Sequence, residues 1–197
     1  MTSELLRRAL ADTGPLGLLP LPEPAGEFLE RLDAPPRLAA HLRVVHDVAH
    51  RLVEWAWQNY PEANVDRAAV LFGAATHDLG KCLHPAELSG PGSAHEQAGY
   101  ELLLSYGVDP KLARFARTHA LWGWADVDLN DLLVSLADKV WKAKRVPDLE
   151  QMVVDRLVEA SGQERWQVFL ALDEELMAIA EDAGRRLAFQ TGYAIAT

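Results

Sequence analysis

From Pro35 onward, apolar residues recur at spacings of three and four, the period of helices buried on one face. The pattern predicts helices over roughly 36–59, 64–79, 93–106, 109–120, 128–145, 148–160 and 162–190. The breaks fall at Pro61, Pro85, Gly90-Pro91-Gly92, Gly107, Pro110, Gly123 and Pro147, residues that end helices for want of an amide proton or a Cβ. Ser161-x-x-Glu164 reads as a capping box opening the last helix. Ahead of this region, Ser3 to Ala11 reads as a short helix, and the Pro- and Gly-rich stretch to about Pro24 as an extended arm or wrapping loop. No run alternates with the two-residue period of a strand, and no repeat or low-complexity tract appears. The fold class expected is an all-α bundle.

Composition narrows the function classes. The chain has 197 residues, room for one domain with a substantial core and too little for two. Its net charge is -10, which argues against a nucleic-acid polymer or an anionic membrane as partner, since both repel an acidic protein. A local basic patch still suits a small phosphorylated molecule. The one cysteine, Cys82, allows no intrachain disulfide and reads as a packing residue. No apolar run reaches the roughly 18–20 residues that span a bilayer, and Pro15, Pro20 and Pro22 interrupt the N-terminal apolar stretch, so no signal peptide is expected. A cytoplasmic location, as monomer or homodimer, is the resulting expectation.

The histidines change the picture. With successive residues about 100° apart on a helix, His41 falls near the centre of the apolar face made by Leu42, Val45, Val48, Ala49 and Leu52. His46 and His50 fall toward its edge. The helix AAVLFGAATHDLGK is almost wholly apolar before the doublet His77-Asp78. His95 shares a stripe with Ala98, Gly99 and Leu102; His119 with Leu112, Phe115 and Ala116; Asp138 with Val134 and Trp141. Taken singly, each is an ordinary hydrogen-bonded core residue. Together, six imidazoles and carboxylates facing a core need partners, because buried polar groups left unpaired are costly. A shared divalent cation satisfies all of them. Fe, Mn, Co, Ni and Zn suit these donors, and four histidines with two aspartates suit two cations sharing Asp78.

The order His41, His77-Asp78, Asp138, with HDLGK around the doublet, resembles the signature of HD-domain metal-dependent phosphohydrolases. HLRVVHDVAHRLVEWA is similar to the family's first helix when counted from His41, with Val45, Ala49 and Leu52 at its apolar positions; His46 is the alternative. The resemblance covers roughly residues 36–146. It implies an HD-domain helical bundle with extra C-terminal helices: an N-terminal arm over 1–34, the HD core over 35–146, and helices over 147–197 packing on the same domain. It further implies that one or two divalent transition-metal ions are held, the first by His41, His77, Asp78 and Asp138 and the second by Asp78, His95 and His119, as in two-metal members. The activity implied is hydrolysis of a phosphate ester or anhydride, a nucleotide being the substrate expected, through metal-activated water. The chain lacks the GYP element of cyclic-dinucleotide phosphodiesterases. It also carries Gly80-Lys81 where guanosine pentaphosphate-type hydrolases carry a Glu-Asp pair.

Asp78 and Lys81 are the expected catalytic residues, and Lys81, Lys142 and Arg145 the expected phosphate-binding ones. Lys139, Lys142 and Arg145 follow Asp138 at spacings of three. Trp122 and Trp124 are read as packing residues with a capacity to stack on a base, and His84 as a surface-loop residue. The rival readings are a non-catalytic nucleotide-binding regulatory HD module and a helical interaction protein with structural histidines only.

Overall fold

The longest unbroken helical pattern becomes the axis of the fold. In the computed structural model, which describes residues 3–123 and 127–193, the helices are α1 (Glu4–Ala11), α2 (Glu23–Arg31), α3 (Pro36–Asn59), α4 (Arg67–Thr76), α5 (Ala94–Ser105), α6 (Pro110–Ala113), α7 (Phe115–Thr118), α8 (Leu129–Val140), α9 (Pro147–Ser161), α10 (Arg165–Ala180) and α11 (Ala183–Thr191). Leu79–Cys82 and Pro85–Leu88 are single 3-10 turns. The chain is all-α, with no strand among the described residues.

Local chemistry explains the starts. The Ser3 hydroxyl accepts from the Leu6 amide, and the Asp66 carboxylate from the Ala69 amide. Asp128 and Asp131 cap α8 reciprocally, each side chain accepting the other's amide. Pro36 and Pro147 open α3 and α9, where a missing amide proton costs nothing.

α3 packs against α1, α4, α8 and α11; α4 also packs against α8, and α9 and α10 follow outward from α8. Their inward faces join in one apolar cluster that runs from Leu6 to Tyr193. No helix of the described residues is long and apolar enough to cross a membrane.

The structure departs from the sequence reading at several points, among them that the helices expected over 64–79 and 128–145 end at Thr76 and Val140. The N-terminal segment contains α2, whose Ala25, Phe28 and Leu29 are buried. Its proline-rich start hid it, although Pro24 sits in the first turn, where proline is tolerated. The 109–120 helix is interrupted at Arg114. The long C-terminal helix divides after Ala180, where the buried Arg186 side chain donates to the Ile179 carbonyl (2.7 Å) and supplies the partner that a continuing helix would have given. Ser161 is not an N-cap: it is the last residue of α9 and its hydroxyl donates to the Leu157 carbonyl (2.7 Å), while Glu164 precedes α10.

Candidate metal centre

Each of the six residues singled out by helical face arrives from its own place in the fold. His41 comes from the second turn of α3. His77 and Asp78 stand where α4 gives way to the 3-10 turn. His95 lies in the first turn of α5, His119 caps the end of α7, and Asp138 lies in the last turn of α8. Packing holds α7 to α8 beside this point: Thr118 donates to the buried Asp131 (2.8 Å), which also accepts from Arg114 Nε (3.1 Å).

The six side chains meet. Asp78 is their hub, and its two oxygens face different partners. Oδ2 lies 3.2 Å from His41 Nε2 and 3.6 Å from His77 Nε2. Oδ1 lies 3.1 Å from His95 Nε2 and 3.6 Å from His119 Nε2. Asp138 Oδ1 closes the first group, 3.5 Å from His41 Nε2 and 3.4 Å from His77 Nε2. Two further acids stand here that the helical faces did not bring out. Glu87 accepts from His95 Nδ1 (2.5 Å), and Glu96 is buried within reach of both His95 and His119. The His95-Glu96 doublet was legible in the sequence; Glu87 sits in the single 3-10 turn Pro85–Leu88, too short for a periodicity to mark it.

Hydrogen bonds settle which nitrogens face inward. The Nδ1 atoms of His77 and His119 each lie 3.0 Å from a carbonyl, of Ala74 and Ala116. A carbonyl only accepts, so Nδ1 carries a proton, and it is Nε2 that turns inward and offers its lone pair in the neutral ring. The Glu87 carboxylate does the same for His95.

Charge in the cluster is uneven. Burial pushes the Asp78 carboxyl up, but His77, His41, His95 and Lys81 together hold it well below the usual carboxylate range. Asp138 is treated alike: burial opposes ionisation, and His41, His77 and Lys139 outweigh it. Burial lowers His41 and His95, yet the carboxylates beside them raise both overall. His119 is pushed down to about 3 by burial and the neighbouring His77. The two ionised carboxylates and the neutral His119 are already in the state a cation requires, and a cation would displace the proton that the carboxylates favour on His41 and His95.

The donor set fits a divalent transition metal. His41 Nε2, His77 Nε2, His95 Nε2 and Asp78 Oδ1 are buried without a hydrogen-bond partner among the described residues. Donors about 2.0–2.2 Å from a common cation, at angles of about 90–110°, stand about 3–3.5 Å apart. The separations here are of that size.

A family model described as HD domain matches residues 38–142. The chain belongs to the HD domain family. HD domains bind divalent metals and are generally metal-dependent hydrolases. Comparison with curated proteins and with solved structures gave no match.

The HD cluster forms the floor of a cavity of about 740 Å³. Lys81 lines it and donates to Asp78 Oδ2 (2.5 Å); Lys139 lines it and donates to Asp138 Oδ2 (2.5 Å); Lys142 lines it as well. Of the two candidates for the first histidine, His41 is in the cluster, whereas His46 is buried outside the cavity lining. Arg145 corrects the expected phosphate strip. It does not line the cavity; it grips both Glu150 oxygens (2.9 and 2.8 Å) and Asp173 (2.7 Å). The helix ends at Val140 and Ala143 turns left-handed (φ 59°), so a spacing of three no longer keeps Arg145 on the face of Lys139 and Lys142. His84 is half-buried outside the lining, Cys82 packs against the core, and Trp122 packs there with Lys139 Nζ 5.8 Å from its ring centre. Trp124 lies outside the described residues.

Proposed function

We propose that this HD domain hydrolyses a phosphate ester or anhydride, with a nucleotide as substrate, using two divalent transition-metal ions. One observation carries the reading: Asp78 turns one oxygen to His41 and His77 and the other to His95 and His119, the arrangement of a carboxylate shared by two cations. His41, His77, Asp78 and Asp138 would hold the first, and Asp78, His95 and His119 the second, with Glu96 in reach of the latter pair. When bound, such cations make water nucleophilic near neutral pH and neutralise charge on phosphoryl oxygens.

The chain's own residues do the rest. Glu87 holds the proton on His95 Nδ1 and so fixes the direction of Nε2. Carbonyls of Ala74 and Ala116 do the same for His77 and His119. Lys81 places an ammonium group on the cavity wall beside Asp78, where it binds and orients the phosphoryl group being cleaved, and Lys142 lines the same wall. An acidic protein can accept an anion here because its cavity wall is cationic.

The test is a panel of nucleotides, dinucleoside polyphosphates and generic phosphoesters, assayed with Mn, Co, Ni or Fe added. His77→Ala and Asp78→Ala are expected to abolish turnover while circular dichroism stays helical. Full activity in either variant refutes the assignment. A metal-loaded protein that cleaves nothing on the panel favours a nucleotide-binding regulatory module.

A further inference from the structure

The chain carries 29 acidic and 19 basic residues, yet five cations line one cavity: Arg37, Lys81, Lys139, Lys142 and Lys144. Lys81 and Lys139 are tied to the floor carboxylates. Arg37, Lys142 and Lys144 have no carboxylate partner among the described residues. The three acids of the lining, Asp78, Glu96 and Asp138, belong to the floor. The cavity is therefore divided: carboxylates and imidazoles below, uncompensated positive charge above.

Position makes this more than a solvated surface. Lys142 and Lys144 follow the C-terminal end of α8, where the helix dipole favours cations without any ligand. Arg37 is the opposite case. It lies in the first turn of α3, where the dipole disfavours a cation, and it lines the same cavity. Arg37 stands four residues before His41 on α3, about 6 Å along its axis, and Lys142 comes four residues after Asp138, two beyond the last residue of α8. Lys144 is brought back by a turn that places Ala143 in the left-handed region (φ 59°), costing about 1–2 kcal/mol for a non-glycine residue; its amide donates to the Lys139 carbonyl (3.2 Å). Trp141 packs edge-on against His41, ring centres 5.3 Å apart, and Lys142 Nζ stands 5.5 Å from the Trp141 ring centre.

We propose that the wall of the cavity carries a second anion subsite, formed by Arg37, Lys142 and Lys144. It holds a phosphate group adjacent to the one being cleaved, so the substrate class is an oligophosphate and not a lone phosphomonoester. The inference rests on the hydrolase reading for which group is cleaved, but the subsite itself is a matter of binding.

The experiment measures binding at equilibrium with two probes that cannot be hydrolysed, methylphosphonate and methylenediphosphonate. Both are titrated calorimetrically into the metal-loaded protein, with the same metal concentration in cell and syringe. The diphosphonate is expected to bind at least about tenfold more tightly. Arg37→Gln combined with Lys142→Gln and Lys144→Gln is expected to erase that preference and to change methylphosphonate affinity by less than about threefold. Melting temperature and metal content of this variant should match the parent. Equal affinity for the two probes, or a preference that survives the triple substitution, overturns the proposal. A protein that cleaves no phosphate yet keeps the preference loses the hydrolase reading and retains the subsite. One that cleaves phosphomonoesters and shows no preference loses the subsite alone.

Discussion

Gly80, two residues after Asp78, allows the 3-10 turn and α5 to meet backbone to backbone. A Cβ at this position would stand 2.0 Å from the His95 carbonyl oxygen and 2.6 Å from the Gly99 amide nitrogen, whereas ordinary contact begins at 3.4 Å. Neither obstacle is a flexible side chain, so Gly80→Ala must drive α5 away from the doublet by about 1 Å or more. α5 carries His95, whose Nε2 is 3.1 Å from Asp78 Oδ1, and a shift of that size takes the pair beyond what one cation bridges. His41, His77 and Asp138 stand on α3, α4 and α8 and stay in place. The expected result is selective: the variant keeps the first metal and loses the second. It should also lose about 1–3 kcal/mol of stability to overpacking, about 2–12 °C in melting temperature at roughly 2–4 °C per kcal/mol for a chain of this length. Metal stoichiometry by plasma mass spectrometry and thermal denaturation read the two effects. Gly99→Ala is the internal control. Its Cβ meets the Gly80 nitrogen at 3.1 Å and the Ala116 methyl at 3.3 Å, gaps that close with shifts of tenths of an ångström, so it should cost less than about 1 kcal/mol. A Gly80→Ala protein with two metals and unchanged melting refutes this reasoning.

Three further outcomes follow from groups away from the metal cluster. Arg43 is buried and donates to the carbonyls of Ala9, Asp12, Leu18 and Leu19; Arg43→Leu orphans these acceptors, and should cost about 2–4 kcal/mol in urea unfolding and expose residues 3–20 to limited proteolysis. Burial, aided by His50 and Arg43, holds His46 down at about 4, below its ordinary value near 6.5. The unfolded chain therefore binds that proton first, and stability present above about pH 6.5 is lost as pH falls toward about 4, by about 3 kcal/mol at most; urea midpoints measured across this range should fall less steeply in His46→Leu. Burial pushes the Cys82 thiol up to about 12, so iodoacetamide should label it far more slowly in the native protein at about pH 8 than in urea, and equal rates would contradict the burial.

Much of the centre was legible in the chain because helical faces are a local property. Spacings of three and four put His41, His95, His119 and Asp138 on inward faces whatever the helices later pack against. The apolar run before His77-Asp78 likewise committed that doublet to the interior. The all-α class rests on the same local signal, while α2 was lost because the proline-rich start around Pro24 masked it. What local periodicity cannot carry is the approach of one backbone to another, or the destination of a long charged side chain. Only the packing of α5 on the turn after Asp78 shows why glycine stands at position 80. Arg145 and Lys142 looked equivalent in sequence, yet the end of α8 and the left-handed Ala143 separate them, giving one to Glu150 and Asp173 and the other to the cavity. Arg37 gained its place at the cavity through contacts between segments distant in the chain, and Glu87 meets His95, eight residues on, only because the turn at Pro85–Leu88 folds back against the start of α5. The two faces of Asp78 are likewise tertiary: a carboxylate is one letter in the sequence, and which histidines each oxygen meets is decided only when four helices and a turn close around it.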